Sequence, residues 1–204
     1  EMCIRDRFTK GSIGEFKKIK LELRLLADVG LLGKPNAGKS SFLNVTTNAK
    51  PKVADYPFTT ISPMLGVVKV NNFHETLVVA DIPGLIEGAS MGQGLGIQFL
   101  KNISRTKILL HIVDISQVES NNLSKEIDDI NNELKEYDEQ LHKKKQILVF
   151  NKVDLLTDGA LVDLKNDLSR LYNKDVFFIS TVTKKGLDEL LNYIMKIHSE
   201  IEIS

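Results

Sequence analysis

The segment that most constrains the fold begins at Gly33 and reads GKPNAGKS. It matches the pattern G-x-x-x-x-G-K-[ST], in which backbone N–H groups wrap around phosphate oxygens. An apolar run typical of a buried strand precedes it at residues 27–33, and residues 40–47 have a helical pattern. The order strand, loop, helix is the context that this motif requires, so the sequence predicts a phosphate-binding loop at a helix N-terminus.

Two side chains at the end of this loop have the chemistry for a nucleotide and its metal ion. Lys39 is expected to reach the β- and γ-phosphates, and the Ser40 hydroxyl is expected to ligate Mg²⁺. The alternative is a glycine-rich turn with an exposed lysine, but the pattern arises by chance in roughly one chain of this length in a hundred. The predicted phosphate-binding residues are Gly33, Lys34, Pro35, Asn36, Ala37, Gly38, Lys39 and Ser40.

Strands and helices alternate along the remaining chain. Two β-rich runs flank a turn and predict a hairpin of residues 64–70 and 76–81. Apolar runs predict further strands at residues 107–113, 146–150 and 176–179, and helical patterns occupy residues 97–104, 119–141, 161–172 and 187–197. The alternation predicts an α/β fold with a mainly parallel sheet, one antiparallel strand and helices on both faces.

A second phosphate motif follows the predicted hairpin. Asp81-Ile82-Pro83-Gly84 fits the pattern D-x-x-G, and Asp81 ends a predicted strand. Its carboxylate would hold Mg²⁺ through water, and the Gly84 amide would sense the γ-phosphate. A strand-ending aspartate in an ordinary turn is commoner in isolation, but the position downstream of the phosphate loop favours the metal site.

The loop before the hairpin contains candidates for a threonine that closes onto Mg²⁺ and the γ-phosphate. Thr59 and Thr60 are these candidates, although two threonines in a loop carry no signal alone. The binding segment that we predict around them consists of Phe58, Thr59, Thr60, Ile61 and Ser62.

A base-recognition motif follows the predicted strand at residues 146–150. Asn151-Lys152-Val153-Asp154 matches N-K-x-D. Guanine presents N1–H and an N2 amino group, which the Asp154 carboxylate can accept, whereas adenine would leave that carboxylate unsatisfied. Sites of this hydrogen-bonding kind reject the wrong partner by about 10⁴–10⁵. Asn151 is expected to brace the loop, and the stem of Lys152 to lie over the base.

The loop after the last predicted strand completes the pocket. There a backbone N–H is expected to meet the guanine O6, although serine and threonine are ordinary loop residues in such a place. The residues concerned are Ser180, Thr181 and Val182.

Composition excludes several classes of protein. Lysine plus arginine number 27, and aspartate plus glutamate also number 27, so the formal net charge is zero. This balance gives no general electrostatic reason to expect binding to nucleic acid or membranes. The single cysteine, Cys3, allows no intramolecular disulfide, and no run of about 18 apolar residues predicts a membrane span. We therefore expect a cytoplasmic monomer without sequence-specific nucleic-acid binding, and residues 1–7 match neither a secretory signal nor the family named below.

Three long stretches resemble the Obg (CgtA) family of GTPases. They are residues 21–40 (LELRLLADVGLLGKPNAGKS), 50–63 (KPKVADYPFTTISP) and 79–100 (VADIPGLIEGASMGQGLGIQFL). The resemblance implies a P-loop G-domain fold, with Thr60, Ser40 and Asp81 at Mg²⁺. It also implies cytoplasmic GTP hydrolysis as a molecular switch in large ribosomal subunit assembly and stress control.

The resemblance also divides the chain. Residues 1–25 are expected to contain a non-native start and a remnant of a glycine-rich N-terminal domain, and residues 26–204 the Obg-type G domain. The sequence departs from the family pattern at three positions. Lys34 stands where the family often has an apolar residue, Asn102 where it frequently has histidine, and Thr181 where it usually has alanine.

Hydrolysis is expected to be slow, because Leu85 follows Gly84 where many GTPases have a water-orienting glutamine. Asn36 is a candidate to recruit K⁺, or else only braces its loop. The glycine-dense residues 84–96 are expected to rearrange with the nucleotide state. Two alternatives are a guanine-nucleotide sensor with negligible hydrolysis and a P-loop ATPase, which the N-K-x-D motif opposes.

Overall fold

The structure is a computed structural model of the 204-residue chain. It describes residues 11, 14–18, 27–47, 51–53, 64–70, 76–81, 106–116, 120–137, 139, 143–172 and 175–203. The predicted helix at residues 97–104, the glycine-dense segment at 84–96 and most of the predicted N-terminal remnant lie outside these ranges.

A seven-stranded sheet forms the centre of the described chain. Its strands are β1 (Val29–Leu32), β2 (Lys52–Val53), β3 (Met64–Lys69), β4 (Thr76–Asp81), β5 (Ile108–Asp114), β6 (Lys145–Asn151) and β7 (Val176–Phe178). Their order is β2-β3-β4-β1-β5-β6-β7. Among the described strands only β3 runs against the others, pairing antiparallel with both β2 and β4, so the predicted mainly parallel sheet with one antiparallel strand is confirmed.

Four described helices cover both faces of the sheet, as predicted. They are α1 (Lys39–Thr46), α2 (Ser120–Tyr137), α3 (Asp158–Leu171) and α4 (Leu187–Ile203). Side chains of α1 and α4 pack together on one face, and those of α2 and α3 pack on the other. Alternate residues of β5 serve the two layers, because successive strand side chains point to opposite faces.

Helix boundaries differ from the predicted ones where the apolar pattern carries no information. α3 begins at Asp158 rather than at 161, because the Thr157 side chain accepts a hydrogen bond from the Ala160 N–H and caps the helix. α4 continues to Ile203 beyond the predicted residue 197. β2 was not predicted, since a strand of two residues has no periodicity to detect.

The carboxyl ends of the parallel strands meet at one edge of the sheet. β1 leads into Gly33, β4 ends at Asp81, β6 ends at Asn151, and the chain after β7 reaches Ser180. Ligands of open α/β sheets bind outside these ends, so the topology brings all the described candidate residues to one edge. Within the described ranges no helix is long and apolar enough to cross a membrane.

Candidate functional site

The phosphate loop has a backbone that few residues can adopt. Gly33, Asn36 and Gly38 have φ values of 144°, 64° and 103°. A Cβ atom on Gly33 would lie 2.2 Å from the Ile112 carbonyl oxygen, and one on Gly38 would lie 2.1 Å from Asn151 Nδ2. Both glycines are therefore required by conformation and by space.

Lys39 begins α1 and folds back across this loop. Its Nζ donates hydrogen bonds to the carbonyl oxygens of Gly33, at 2.7 Å, and of Lys34, at 2.9 Å. The ammonium group thus stands over the loop, at the positive end of the α1 dipole. Positive charge and helix N–H groups converge there, and an anion is the ligand that this arrangement favours.

Ser40 and Asp81 form the part of the site suited to a metal ion. Ser40 Oγ donates to Asp81 Oδ2 at 2.5 Å, and this contact joins α1 to the end of β4. Asp81 is only 4% exposed, and its Oδ1 is buried with no hydrogen-bond partner among the described residues. A buried carboxylate oxygen without a partner, beside a hydroxyl, fits a hard cation such as Mg²⁺.

Several predicted residues of the phosphate and metal site lie outside the described residues. They are Phe58, Thr59, Thr60, Ile61, Ser62, Ile82, Pro83 and Gly84, and Leu85 lies outside the described residues as well. No group of three or more histidine, cysteine or acidic side chains that could hold a metal occurs among the residues the structure describes. The described candidates for metal binding are thus one hydroxyl and one carboxylate.

Asn151 joins three loops at the end of β6. The residue is fully buried; its Nδ2 donates to the Ala37 carbonyl oxygen at 2.9 Å, and its Oδ1 accepts from the Thr181 N–H at 3.2 Å. The phosphate loop, the N-K-x-D loop and the loop after β7 are therefore in direct contact. The Asn151 side chain therefore holds these three loops next to one another.

Lys152 and Val153 shape the backbone beside Asn151. Lys152 has a φ of 70°, and its ammonium group pairs with the Asp114 carboxylate at the end of β5. Val153 is buried and begins a short 3-10 helix, Val153–Leu155, which contains the exposed Asp154. The chain thereby presents the Asp154 carboxylate to solvent, where a ligand can reach it.

Asp114 was missed by sequence reasoning. It accepts hydrogen bonds from the Ser116 N–H at 2.9 Å and the Ser116 Oγ at 2.7 Å, besides pairing with Lys152. Burial raises the pKa of Asp114, but the bonds from Lys152 and Ser116 outweigh it and hold that pKa below its ordinary value. The available signal was its place at the end of the strand that precedes β6.

The loop after β7 is closed by its own hydrogen bonds. Ser180 is fully buried, and its Oγ accepts from the N–H groups of Val182, at 3.2 Å, and Thr183, at 3.0 Å. Thr181 donates its N–H to Asn151, and the Val182 side chain is exposed. The loop lies beside Asn151, and contact of one of its N–H groups with a guanine O6 stays a prediction.

Comparison with known proteins gives consistent similarities. The family described as "50S ribosome-binding GTPase" matches residues 28–152. The GTPase Obg of Clostridioides difficile is 50% identical over 194 residues, covering 94% of this chain and 45% of that protein. The GTPase Obg of Persephonella marina is 47% identical over 197 residues, covering 96% of this chain and 57% of that protein.

A solved structure shares the fold. The G domain of the FeoB iron transporter of T. maritima superposes with a TM-score of 0.58 and 24% identity, covering 84% of this chain and 98% of that one. The chain spans about half the length of the two curated relatives, at 45% and 57%.

Proposed function

The chain belongs to the family of 50S ribosome-binding GTPases, and from this membership we propose that it is a switch that hydrolyses GTP slowly to GDP and phosphate. The resemblance to the Obg GTPases and the P-loop G-domain fold that the sequence predicted are confirmed. The division into a G domain at residues 26–204 and a separate N-terminal piece at 1–25 is part of the proposal.

The contact that carries this proposal is made by Asn151. Its side chain holds the loop of Lys39 and the loop of Asp154 against each other. A nucleotide needs a cationic grip on its phosphates and an acceptor for its base, on loops that one molecule can span. The arrangement supports Lys39 as the phosphate ligand and Asp154 as the guanine acceptor, with Lys152 over the base.

Mg²⁺ is the metal that the donor set fits. Ser40 would hold it directly and Asp81 through water, and Thr60 is proposed as the third ligand on family grounds. When bound, the ion neutralises charge on the β- and γ-phosphate oxygens. Lys39 adds a second positive charge, so these residues orient the phosphates and stabilise charge without supplying a general base.

Low turnover follows from the residue after Gly84. Leu85 has no hydrogen-bonding group, so its side chain cannot orient the attacking water. Asn36 is exposed in the phosphate loop with a φ of 64°, and it is the proposed recruiter of K⁺. The segments around Thr60 and at residues 84–96 would order around the γ-phosphate and relax after hydrolysis.

The partner that we propose is the large ribosomal subunit, met in the cytoplasm. The support is the family description and the name of the relatives, of which this chain matches about half. A second candidate function is a guanine-nucleotide sensor with negligible hydrolysis, which Leu85 favours.

Replacing Asp154 tests the guanine site. Asp154→Asn replaces the charged acceptor of two hydrogen bonds, each contributing about 1.5–3 kcal/mol, by a neutral amide whose NH₂ opposes the guanine N2 amino group, so the affinity for a fluorescent GDP analogue should fall about 10²–10⁴-fold. The xanthine analogue should bind the variant better than the wild type, because its C2 carbonyl matches the new amide. Asp158→Asn, an exposed aspartate that begins α3, is the matched control and should bind GDP normally. Unchanged GDP affinity in Asp154→Asn would refute the guanine assignment.

Phosphate release in K⁺ and Na⁺ buffers separates the switch from the sensor. We expect slow release that is faster in K⁺ and that loses this dependence in Asn36→Ala, since a recruited cation can replace part of an arginine finger, worth about 10³–10⁵ in rate. No release in either buffer, with GTP still bound, would establish the sensor instead.

A further inference from the structure

Lys34 is the second residue of the phosphate loop, and its side chain leaves the loop for a neighbouring helix. Its Nζ donates to Glu126 Oε2 of α2 at 3.2 Å. The two side chains are 44% and 10% exposed, so the contact lies at the edge of the interior rather than on an open surface. Because Glu126 is the buried partner, solvent screens this ion pair less than a pair between two exposed side chains.

Glu126 lies on the face of α2 that packs against the sheet. Its neighbours Leu123 and Ile127 are buried in the core with Leu148 of β6. A carboxylate in this position costs free energy unless it is paired and hydrogen-bonded. The Lys34 ammonium provides such a partner across 92 residues of sequence, so α2 and the phosphate loop satisfy each other's polar groups.

The backbone of Lys34 organises the loop itself. Its carbonyl oxygen accepts hydrogen bonds from Lys39 Nζ at 2.9 Å and from the Ala37 N–H at 3.2 Å. The residue that anchors the loop to α2 is therefore also the residue that receives the phosphate-binding lysine. A shift of Lys34 would therefore move both the carbonyl oxygen that accepts from Lys39 and the ammonium group that pairs with Glu126.

The loop needs such an anchor because its backbone is strained. Asn36 has a φ of 64° without being a glycine, and it lies between Gly33 and Gly38, whose φ values are also positive. Backbone of this kind persists only where the surrounding structure holds it. Asn151 holds the loop from the side of β6, and the Lys34 ion pair holds it from the side of α2.

We propose that Lys34 and Glu126 are a positioning pair that keeps the phosphate loop in its binding conformation and links nucleotide affinity to α2. The inference rests on the proposed function, since it presumes that this loop binds nucleotide phosphates. Coupling between sites is reciprocal, so a bound nucleotide also holds α2 in place through the same pair.

Neutralising Glu126 distinguishes a positioning role of the ion pair from a purely electrostatic effect of the Glu126 charge on the bound phosphates. Removing a negative charge near the phosphates should tighten GDP binding if only the local potential matters. If the pair positions the loop, the same change weakens binding. Lys34→Met cannot make this distinction, because both explanations predict weaker binding, and the decisive variants are therefore Glu126→Leu and Glu126→Gln.

The experiment measures the dissociation constant and dissociation rate of a fluorescent GDP analogue with Mg²⁺. It is run at a temperature where circular dichroism shows every variant to be folded, since a loss of global stability then leaves affinity unchanged. We expect Lys34→Met and Glu126→Leu each to weaken binding about fivefold or more, the low end of measured couplings. The double variant should be no weaker than the worse single one, because both changes remove one interaction.

Lys143→Met is the matched control, because it removes a lysine from the exposed ion pair with Glu139 and should leave GDP affinity unchanged. Unchanged or tighter binding in every Glu126 variant that folds would overturn the positioning role. Glu126→Gln keeps the side-chain volume and an acceptor, so it serves if Glu126→Leu does not fold. Failure of the wild-type chain to bind GDP would instead remove the proposed function, and the positioning role with it.

Discussion

Gly33 and Gly159 differ in whether the structure around them has room for a side chain. At Gly33 an added Cβ would meet the Ile112 carbonyl oxygen at 2.2 Å, and the φ of 144° is one that L residues rarely adopt. At Gly159, near the start of α3, an added Cβ would meet no atom of the described residues within 4 Å. The first glycine is thus required by the backbone of β5, and the second only lowers helix propensity.

These two positions predict stability changes of opposite sign. Gly33→Ala should lower the free energy of unfolding by at least about 2 kcal/mol, because strained φ and a clash with fixed backbone combine. Gly159→Ala should raise it by about 0.5–1 kcal/mol, through a smaller entropy of the unfolded chain. Urea denaturation of both variants measures this. A neutral Gly33→Ala would show that β5 and the loop can separate without cost.

α4 contacts the sheet and the segments that lead into its strands at several points along its length. The Tyr193 ring packs against Phe177 of β7 at a centroid distance of 5.0 Å. Further along, His198 lies 3.2 Å from Asp28 before β1, and Lys107 before β5 donates to Glu202 at 2.6 Å. The helix therefore connects β7 with the amino ends of β1 and β5, at the sheet edge opposite the candidate site.

The contribution of Tyr193 to the stability of α4 on the sheet should depend on pH. Burial and a hydrogen bond with Asp175 raise the pKa of Tyr193 to about 12 from its ordinary 10.0. A raised folded-state pKa means that the contribution to stability is fully present below pH 10.0 and is lost as the pH rises towards about 12.

The difference in unfolding free energy between wild type and Tyr193→Phe should therefore be constant up to about pH 10 and shrink above it. Urea denaturation as a function of pH measures that difference, and Tyr172→Phe controls for the loss of a hydroxyl elsewhere. A difference that stays constant up to pH 12 would show that the phenol does not interact with Asp175 in solution.

On the scale of the whole molecule, the carboxyl edge of the sheet gathers loops that are far apart in the chain. Asn151 contacts the phosphate loop and the loop after β7, and Ser40 contacts Asp81 at the end of β4. A ligand that spans these loops ties β1, β4, β6 and β7 together, so it stabilises the whole sheet rather than one element.

Ligand-induced stabilisation is the corresponding prediction. GDP with Mg²⁺ at 100 times its dissociation constant should raise the free energy of unfolding by about 2.7 kcal/mol, while ATP should not. Chelation of Mg²⁺ should reduce the gain. Thermal unfolding with each nucleotide measures this, and equal stabilisation by ATP would contradict the guanine site.

Asn151→Ala should lose much of that gain, and its ligand-free stability should fall by about 1–3 kcal/mol, since buried partners are left unsatisfied. Asn166→Ala, at an exposed position of α3, is the matched control. If Asn151→Ala were stabilised by GDP as strongly as this control, the contact between loops would not be what holds the site together.

The sequence by itself determined the parts of this protein that depend on neighbouring residues. The strand, loop and helix around Gly33, the hairpin of β3 and β4, and the buried β5 and β6 were all predicted. Local signals suffice there, because strand burial follows an apolar run, and a glycine-rich loop marks a backbone that other residues cannot adopt. The N-K-x-D motif likewise placed Asn151 and Asp154 at a strand end.

Only the tertiary structure decided the strand order and which side chains meet across it. Glu126 meets Lys34 at a separation of 92 residues, Asp114 meets Lys152 at 38, and His198 meets Asp28 at 170. No local pattern marks such partners, because each is an ordinary polar or charged residue until packing places it. The pairing arises when the sheet buries two polar groups together, where each becomes costly without the other.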